Sequence, residues 1–143
     1  VLTECCLRES LRKYSVVPTV VRVASEEVTL GNGAYCLPKG QTLMINMQGV
    51  HHNPNYWPEP LAYRPDRFLD TKGVQPYTFI PFIEGPRMCL GQYLSLMESK
   101  VVLSLLLQSF CFECTNADAG EKHAFMVPII PKTGHMMKVS AVS

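Results

Sequence analysis

The sequence predicts an α+β fold, mainly helical, with residues 1–143 forming one domain-sized unit. Three observations carry that expectation. Apolar residues recur at helical spacing near the start of the chain and again after Gly91. Short β-prone runs, punctuated by glycine turns, follow the first helical stretch. A proline-dense stretch then separates those runs from the second helix.

The first helix is expected from about Val1 to Tyr14. Leu2, Cys5, Cys6, Glu9 and Arg12 fall at three- and four-residue spacing, and Pro18 limits the extension. Val20–Val23, Glu27–Leu30 and Thr42–Ile45 read as strands, with turns at Gly31-Asn32-Gly33 and Pro38-Lys39-Gly40. Between His51 and Tyr77, prolines 54, 58, 60, 65 and 76 forbid long regular structure and predict a meandering covering loop. From Gly91 to Phe110, Leu94, Met97, Val101 and Leu105 predict a second long helix. Additional leucines broaden its apolar stripe and predict burial on more than one side. The tail, Phe125 to Val142, is expected to form a hairpin around Lys132-Thr133-Gly134.

Composition narrows the function classes. A net charge of +1 with 17% charged residues leaves no nucleic-acid footprint, and 47% hydrophobic content is that of a globular domain. No run approaches the ~18 consecutive apolar residues of a membrane span; the strongest, Val101 to Leu107, is interrupted by Ser104. The six cysteines lack a secretory context. Cys111-x-x-Cys114 has ligand spacing, but no second pair completes a zinc site; Cys5, Cys6 and Cys36 read as small core or surface residues. His51 and His52 are adjacent and project in different directions, so a two-histidine metal site is not expected.

The chemistry concentrates in Phe82-Ile83-Glu84-Gly85-Pro86-Arg87-Met88-Cys89-Leu90-Gly91. Cysteine ligates a metal as thiolate, so its surroundings must stabilise negative charge. Gly85 and Gly91 allow backbone conformations that turn N–H groups toward the sulfur. Leu90 and Gly91 begin the second helix, placing Cys89 near the positive end of its dipole. Pro86 stiffens the loop without adding a donor. The plain alternative is a buried free cysteine beside a turn. Against it, five positions within ten match a fixed pattern of residue types.

That segment fits F-x-x-G-x-R-x-C-x-G and resembles the haem-binding loop of the cytochrome P450 family. Glu9-x-x-Arg12 resembles the E-x-x-R of the family's K helix. Tyr63-Arg64-Pro65-Asp66-Arg67-Phe68 resembles its P-E-R-F element, with aspartate where glutamate is usual. Taken alone, Glu9 and Arg12 fit a solvated helical ion pair; their order before Arg67 and the cysteine loop gives them weight. His51-His52-Asn53-Pro54-Asn55-Tyr56-Trp57 is similar to the family's H-R-D-P-x-x-W, with His52 in the arginine position.

The resemblance implies haem b as cofactor, with Cys89 as axial thiolate and iron ligand. It implies that Arg87 and Arg22 reach the propionates, that Phe82 shields the sulfur, and that Gly85, Leu90 and Gly91 shape the loop. Glu9, Arg12 and Arg67 would form a buried structural charge network. The implied reaction is a monooxygenation: one oxygen atom from O₂ enters a small apolar substrate, with electrons from an NADPH-dependent reductase or other donor. Residues 16–23 and 127–132 would help line the substrate pocket, and Lys72 and Lys100 could meet the reductase. Nucleic acid is not an expected partner. Since the chain starts inside a helical pattern without methionine, it is expected to be the C-terminal part of a single longer domain. Any membrane anchor would then lie in the missing N-terminal part, and the full-length parent would sit at the cytosolic face of the endoplasmic reticulum. The isolated fragment is expected to be inactive. Two alternatives stand beside this: a truncated non-catalytic product, and a family member that rearranges peroxides without reductase or O₂.

Overall fold

Helix α1, Leu2–Lys13, carries Glu4 in its first turn and Arg12 and Lys13 in its last, an arrangement that complements the helix dipole. The structure is a computed structural model, and it describes residues 1–70, 74–116, 123–124, 128–131 and 134–142. Strand β1, Thr19–Val23, pairs antiparallel with β4, Thr42–Asn46. Between them β2, Val28–Leu30, forms a hairpin with β3, Tyr35–Leu37, across a turn whose Gly31, Asn32 and Gly33 all have positive φ.

Two elements in the first half of the chain stand out as lying beyond the sequence expectation. Strand β3 is one, a three-residue strand too short to show periodicity. The other is the five-residue helix α2, Met47–His51, begun by Asn46, whose side chain accepts the Gly49 N–H at 2.9 Å. Gln48 of α2 then fastens the end of α1. Its Oε1 accepts the Ser15 N–H at 3.1 Å, and its Nε2 donates to the Lys13 carbonyl at 2.9 Å. The proline-rich stretch contains only a 3₁₀ turn, Pro65–Phe68, among its described residues.

Helix α3, Gln92–Ser109, leads directly into strand β5, Phe110–Cys114. The remaining strands are β6 (His123–Ala124), β7 (Ile130–Pro131) and β8 (Met137–Ala141). The expected tail hairpin is corrected here. β7 pairs back with β6, and β8 pairs with β5, from Phe110 opposite Ala141 to Cys114 opposite Met137. The local turn signal pointed to a neighbouring partner, whereas the ladder bonds of β8 are satisfied by a strand before the tail. Phe125, Val127, Lys132, Thr133 and Lys72 lie outside the described residues.

The core sits beside α1. Cys5, Trp57 and Phe68 are buried, with Val74 and Phe79 packed against them. The rings of Phe68 and Phe79 lie 4.9 Å apart, and those of Trp57 and Phe68 5.8 Å apart. The Trp57 indole N–H donates to the Thr78 carbonyl at 3.1 Å, so its polar edge is satisfied within the core. Helix α3 behaves otherwise: none of its residues is buried, contrary to the expected burial on more than one side. Among the described residues, Leu96 alone of its leucines borders the cavities against Leu7 and Leu11 of α1, while Leu94, Leu105, Leu106 and Leu107 remain exposed. No helix among the described residues is long and apolar enough to cross a membrane.

Candidate functional site

The site is built on a closed charge network. Glu9 and Arg12, three residues apart on α1, are wholly excluded from solvent. Arg12 donates through Nε to Glu9 Oε2 and through Nη2 to Oε1, both at 2.8 Å, a two-pronged pairing suited to guanidinium and carboxylate. Glu9 Oε1 also accepts the Arg64 main-chain N–H at 2.8 Å and Arg67 Nε at 3.3 Å. The remaining Arg12 donors reach the His51 carbonyl at 2.8 Å and the Ala62 carbonyl at 3.3 Å. The Nη1 and Nη2 donors of Arg67 reach the Pro58 and Glu59 carbonyls. Burial raises the pKa of Glu9, but the bonds from Arg12 and Arg64 and the nearby guanidinium charges outweigh it and hold the carboxyl below its ordinary value. Glu9, Arg12 and Arg67 thus pin α1 to the proline-rich stretch.

The cysteine loop is folded on itself by a series of main-chain bonds. Ile83 N–H donates to Ile80 O at 3.1 Å, Met88 N–H to Gly85 O at 3.0 Å, and Cys89 N–H to Phe82 O at 2.9 Å. Gly85 has φ +86°, which glycine adopts without a Cβ penalty. Ile83 has φ +65°, an uncommon and strained conformation for a β-branched residue. Gly91 differs from its expected role. Its φ of −82° is open to any residue, and a Cβ there would meet Cys89 Sγ at an ordinary 3.9 Å. Its contribution is position: it is the N-cap of α3 and places the helix start against the sulfur.

Cys89 is exposed and unbonded to another cysteine. Its side borders a mainly apolar cavity of about 360 Å³, shared with Leu11, Val16, Val17, Met47 and Phe82. Leu90 projects wholly into solvent. Arg87 is exposed and its guanidinium has no hydrogen-bonding partner among the described residues. Arg22, on β1, donates back to the Val21 carbonyl at 2.9 Å. The loop therefore gathers Phe82, Gly85, Cys89 and Gly91, and neither arginine is fixed to it by a bond among the described residues.

Among the described residues, no group of three or more His, Cys, Asp or Glu converges as a metal site. A single open sulfur beside an apolar cavity would fit a metal group that takes only one ligand from the protein. Cys111 and Cys114 are both free on β5, and an odd separation directs their side chains to opposite faces of the strand. That parity removes them as a chelating pair.

His51 is the residue that the sequence did not single out for a structural role. It is fully buried. Its Nε2 accepts the Ile80 N–H at 2.9 Å, which leaves the ring proton on Nδ1, 2.8 Å from Ser15 Oγ. Burial, reinforced by the Arg12 charge, lowers its pKa from 6.5 to about 4. The pairing with Ile80 spans 29 positions, so no local spacing could have announced it.

A cytochrome P450 family model matches residues 1–137. The chain is 45% identical over 109 residues to human cytochrome P450 4F12, covering 75% of this chain and 21% of that protein. It is 42% identical over 109 residues to mouse cytochrome P450 3A11, again covering 75% of this chain and 21% of the relative. The crystal structure of the cytochrome P450DA heme domain superposes with a TM-score of 0.87 at 27% identity, covering 99% of this chain and 31% of that one. The chain therefore spans about a fifth of the length of these two curated relatives.

Proposed function

The chain belongs to the cytochrome P450 family, and on that premise we propose that it supplies the thiolate side of the haem site in a longer monooxygenase. The observation that carries this reading is the Cys89 sulfur, open beside an apolar cavity and set at the start of an 18-residue helix. Haem b, bound there, would supply the O₂-activating redox chemistry, with the Cys89 thiolate donating electron density to its iron. The chain's own residues do the rest. The helix start and the loop's turned backbone favour negative charge on sulfur. Phe82 keeps water from it, and the unpartnered guanidinium of Arg87 is available to a propionate. Arg22 is the second propionate candidate, once released from its own strand. Leu90, turned to solvent, would bear on the loop's outer surface.

The parent protein would use O₂ and electrons from an NADPH-dependent reductase to oxidise a small apolar substrate, at the cytosolic face of the endoplasmic reticulum. This chain would be the C-terminal portion of its domain. A specific observation favours one companion reading: no residue of α3 is fully buried, and Leu94, Met97, Val101 and Leu105 are exposed. An apolar helix needs a covering surface, so the 143-residue chain alone has no monooxygenase activity.

The test is a reduced, carbon-monoxide-bound spectrum of the haem-loaded parent protein, with Cys89→Ser as control. The reading requires a thiolate-type band in the parent and its loss in the variant. A parent without that band would refute it.

A further inference from the structure

We propose that His51 is a positioning residue for the cysteine loop, its Nε2 accepting the Ile80 N–H and thereby setting where the loop presents the Cys89 sulfur. The inference deepens the haem-thiolate reading and rests on it. His51 ends α2, which Gln48 and Arg12 fasten to α1: Gln48 through Ser15 and Lys13, Arg12 through the His51 carbonyl. Its ring therefore projects from a fixed frame, and the Phe79 ring lies 5.7 Å from it.

From that ring a continuous series of bonds runs to the cysteine. Ile80 N–H donates to His51 Nε2 at 2.9 Å; Ile80 O accepts Ile83 N–H at 3.1 Å; Phe82 O accepts Cys89 N–H at 2.9 Å. The first link is the only one made by a side chain. It also precedes Ile83, whose left-handed backbone is strained for a β-branched residue. Strain of that kind persists only where surrounding bonds over-determine the conformation. Among the described residues, His51 is the acceptor for the Ile80 amide, so its loss leaves a half-buried donor without that partner and loosens the turn that carries the strain.

Two substitutions separate the ring's two nitrogens. His51→Gln places an amide oxygen near the position of Nε2 and keeps an acceptor for Ile80. His51→Asn keeps a donor near Nδ1 for Ser15 and removes that acceptor. Both are made in the complete protein carrying this sequence. Amide hydrogen exchange at Ile80 and Ile83 reads the anchor, and the reduced carbon-monoxide spectrum reads the thiolate. His51→Asn should speed exchange at both amides by about tenfold or more and lose most of the thiolate-type band. His51→Gln should stay within about twofold of the unaltered protein in exchange, because the bond to Ile80 survives, and should keep the band. Unchanged exchange in His51→Asn overturns the proposal, as does equal loss of the band in both variants. An unaltered protein with no thiolate-type band refutes the haem reading alone. In that case the exchange contrast between the two variants still decides for or against the anchor.

Discussion

The frame around α1 and the arm formed by α3, β5 and β8 solve burial in opposite ways. In the frame, Glu9, Arg12, Ser15 and His51 are all buried, and each is bonded to another part of the same chain. Among the described residues, no buried side-chain polar atom lacks a hydrogen-bond partner. The arm carries more apolar residues and buries none of them: Leu94, Leu105, Phe110 and Val139 are all exposed. A charged cluster is closed by its own partners, whereas an apolar helix is closed only by another surface. The cysteine loop lies at the junction, fixed from the frame and continuing into the arm. That placement makes the loop's geometry a property of this chain and the environment of its sulfur a joint property of the chain and whatever covers α3.

The sharpest way to break the contrast is to open the frame. Glu9→Ala removes the acceptor shared by Arg12, Arg64 and Arg67 and strands a fully buried guanidinium. The expected loss is about 3–5 kcal/mol by chemical denaturation, since one partner of a buried pair is left uncompensated. A loss near that of an exposed ion pair, below about 1 kcal/mol, would show that the network is not closed.

Acid should act on the same region with a smaller effect. The unfolded His51 imidazole takes a proton near pH 6.5, while the folded ring resists until about pH 4. The unfolded state therefore binds more protons across that window, and stability falls as pH falls through it, by on the order of 3 kcal/mol. Above pH 6.5 this contribution is constant. Glu9, whose carboxyl is held below its ordinary value, adds a further loss only at lower pH. Denaturation midpoints across pH should show the upper step, and His51→Gln should flatten it.

The arm should be the least sensitive. In the 143-residue chain alone, Leu105→Ala should change stability by no more than about 0.5 kcal/mol, as at other exposed positions. In the complete protein the same change should cost about 2–5 kcal/mol if α3 is covered there. Equal effects in the two settings would remove the distinction between frame and arm.

The two regions also differed in how far they could be read from sequence. The α1 charge pair was legible because a separation of three on a helix is a local geometric fact. Arg67 entered only through resemblance to a known element, since nothing local connects it to Glu9 58 positions away. Helix α3 was legible in extent, as Leu94 to Leu105 mark its period, but periodicity says only that a surface needs covering. It cannot say which chain covers it. Helix α2 was hidden by its length, and its one signal was Asn46 before a short run with Gly49 at the bonded position. The pairing of β8 with β5 was hidden by distance in the chain, while a nearer turn offered a plausible wrong partner. In the loop, Gly85 and Cys89 could be read directly, whereas the anchor at His51 needed coordinates.

On the proposed reading, Cys89 among the six cysteines is the sulfur that would bind iron. X-ray absorption at the iron edge of the haem-loaded complete protein tests it most directly. One sulfur neighbour at iron is expected in the unaltered protein and none in Cys89→Ser. A sulfur neighbour that survives the substitution, or is absent before it, would show that Cys89 is not the iron ligand.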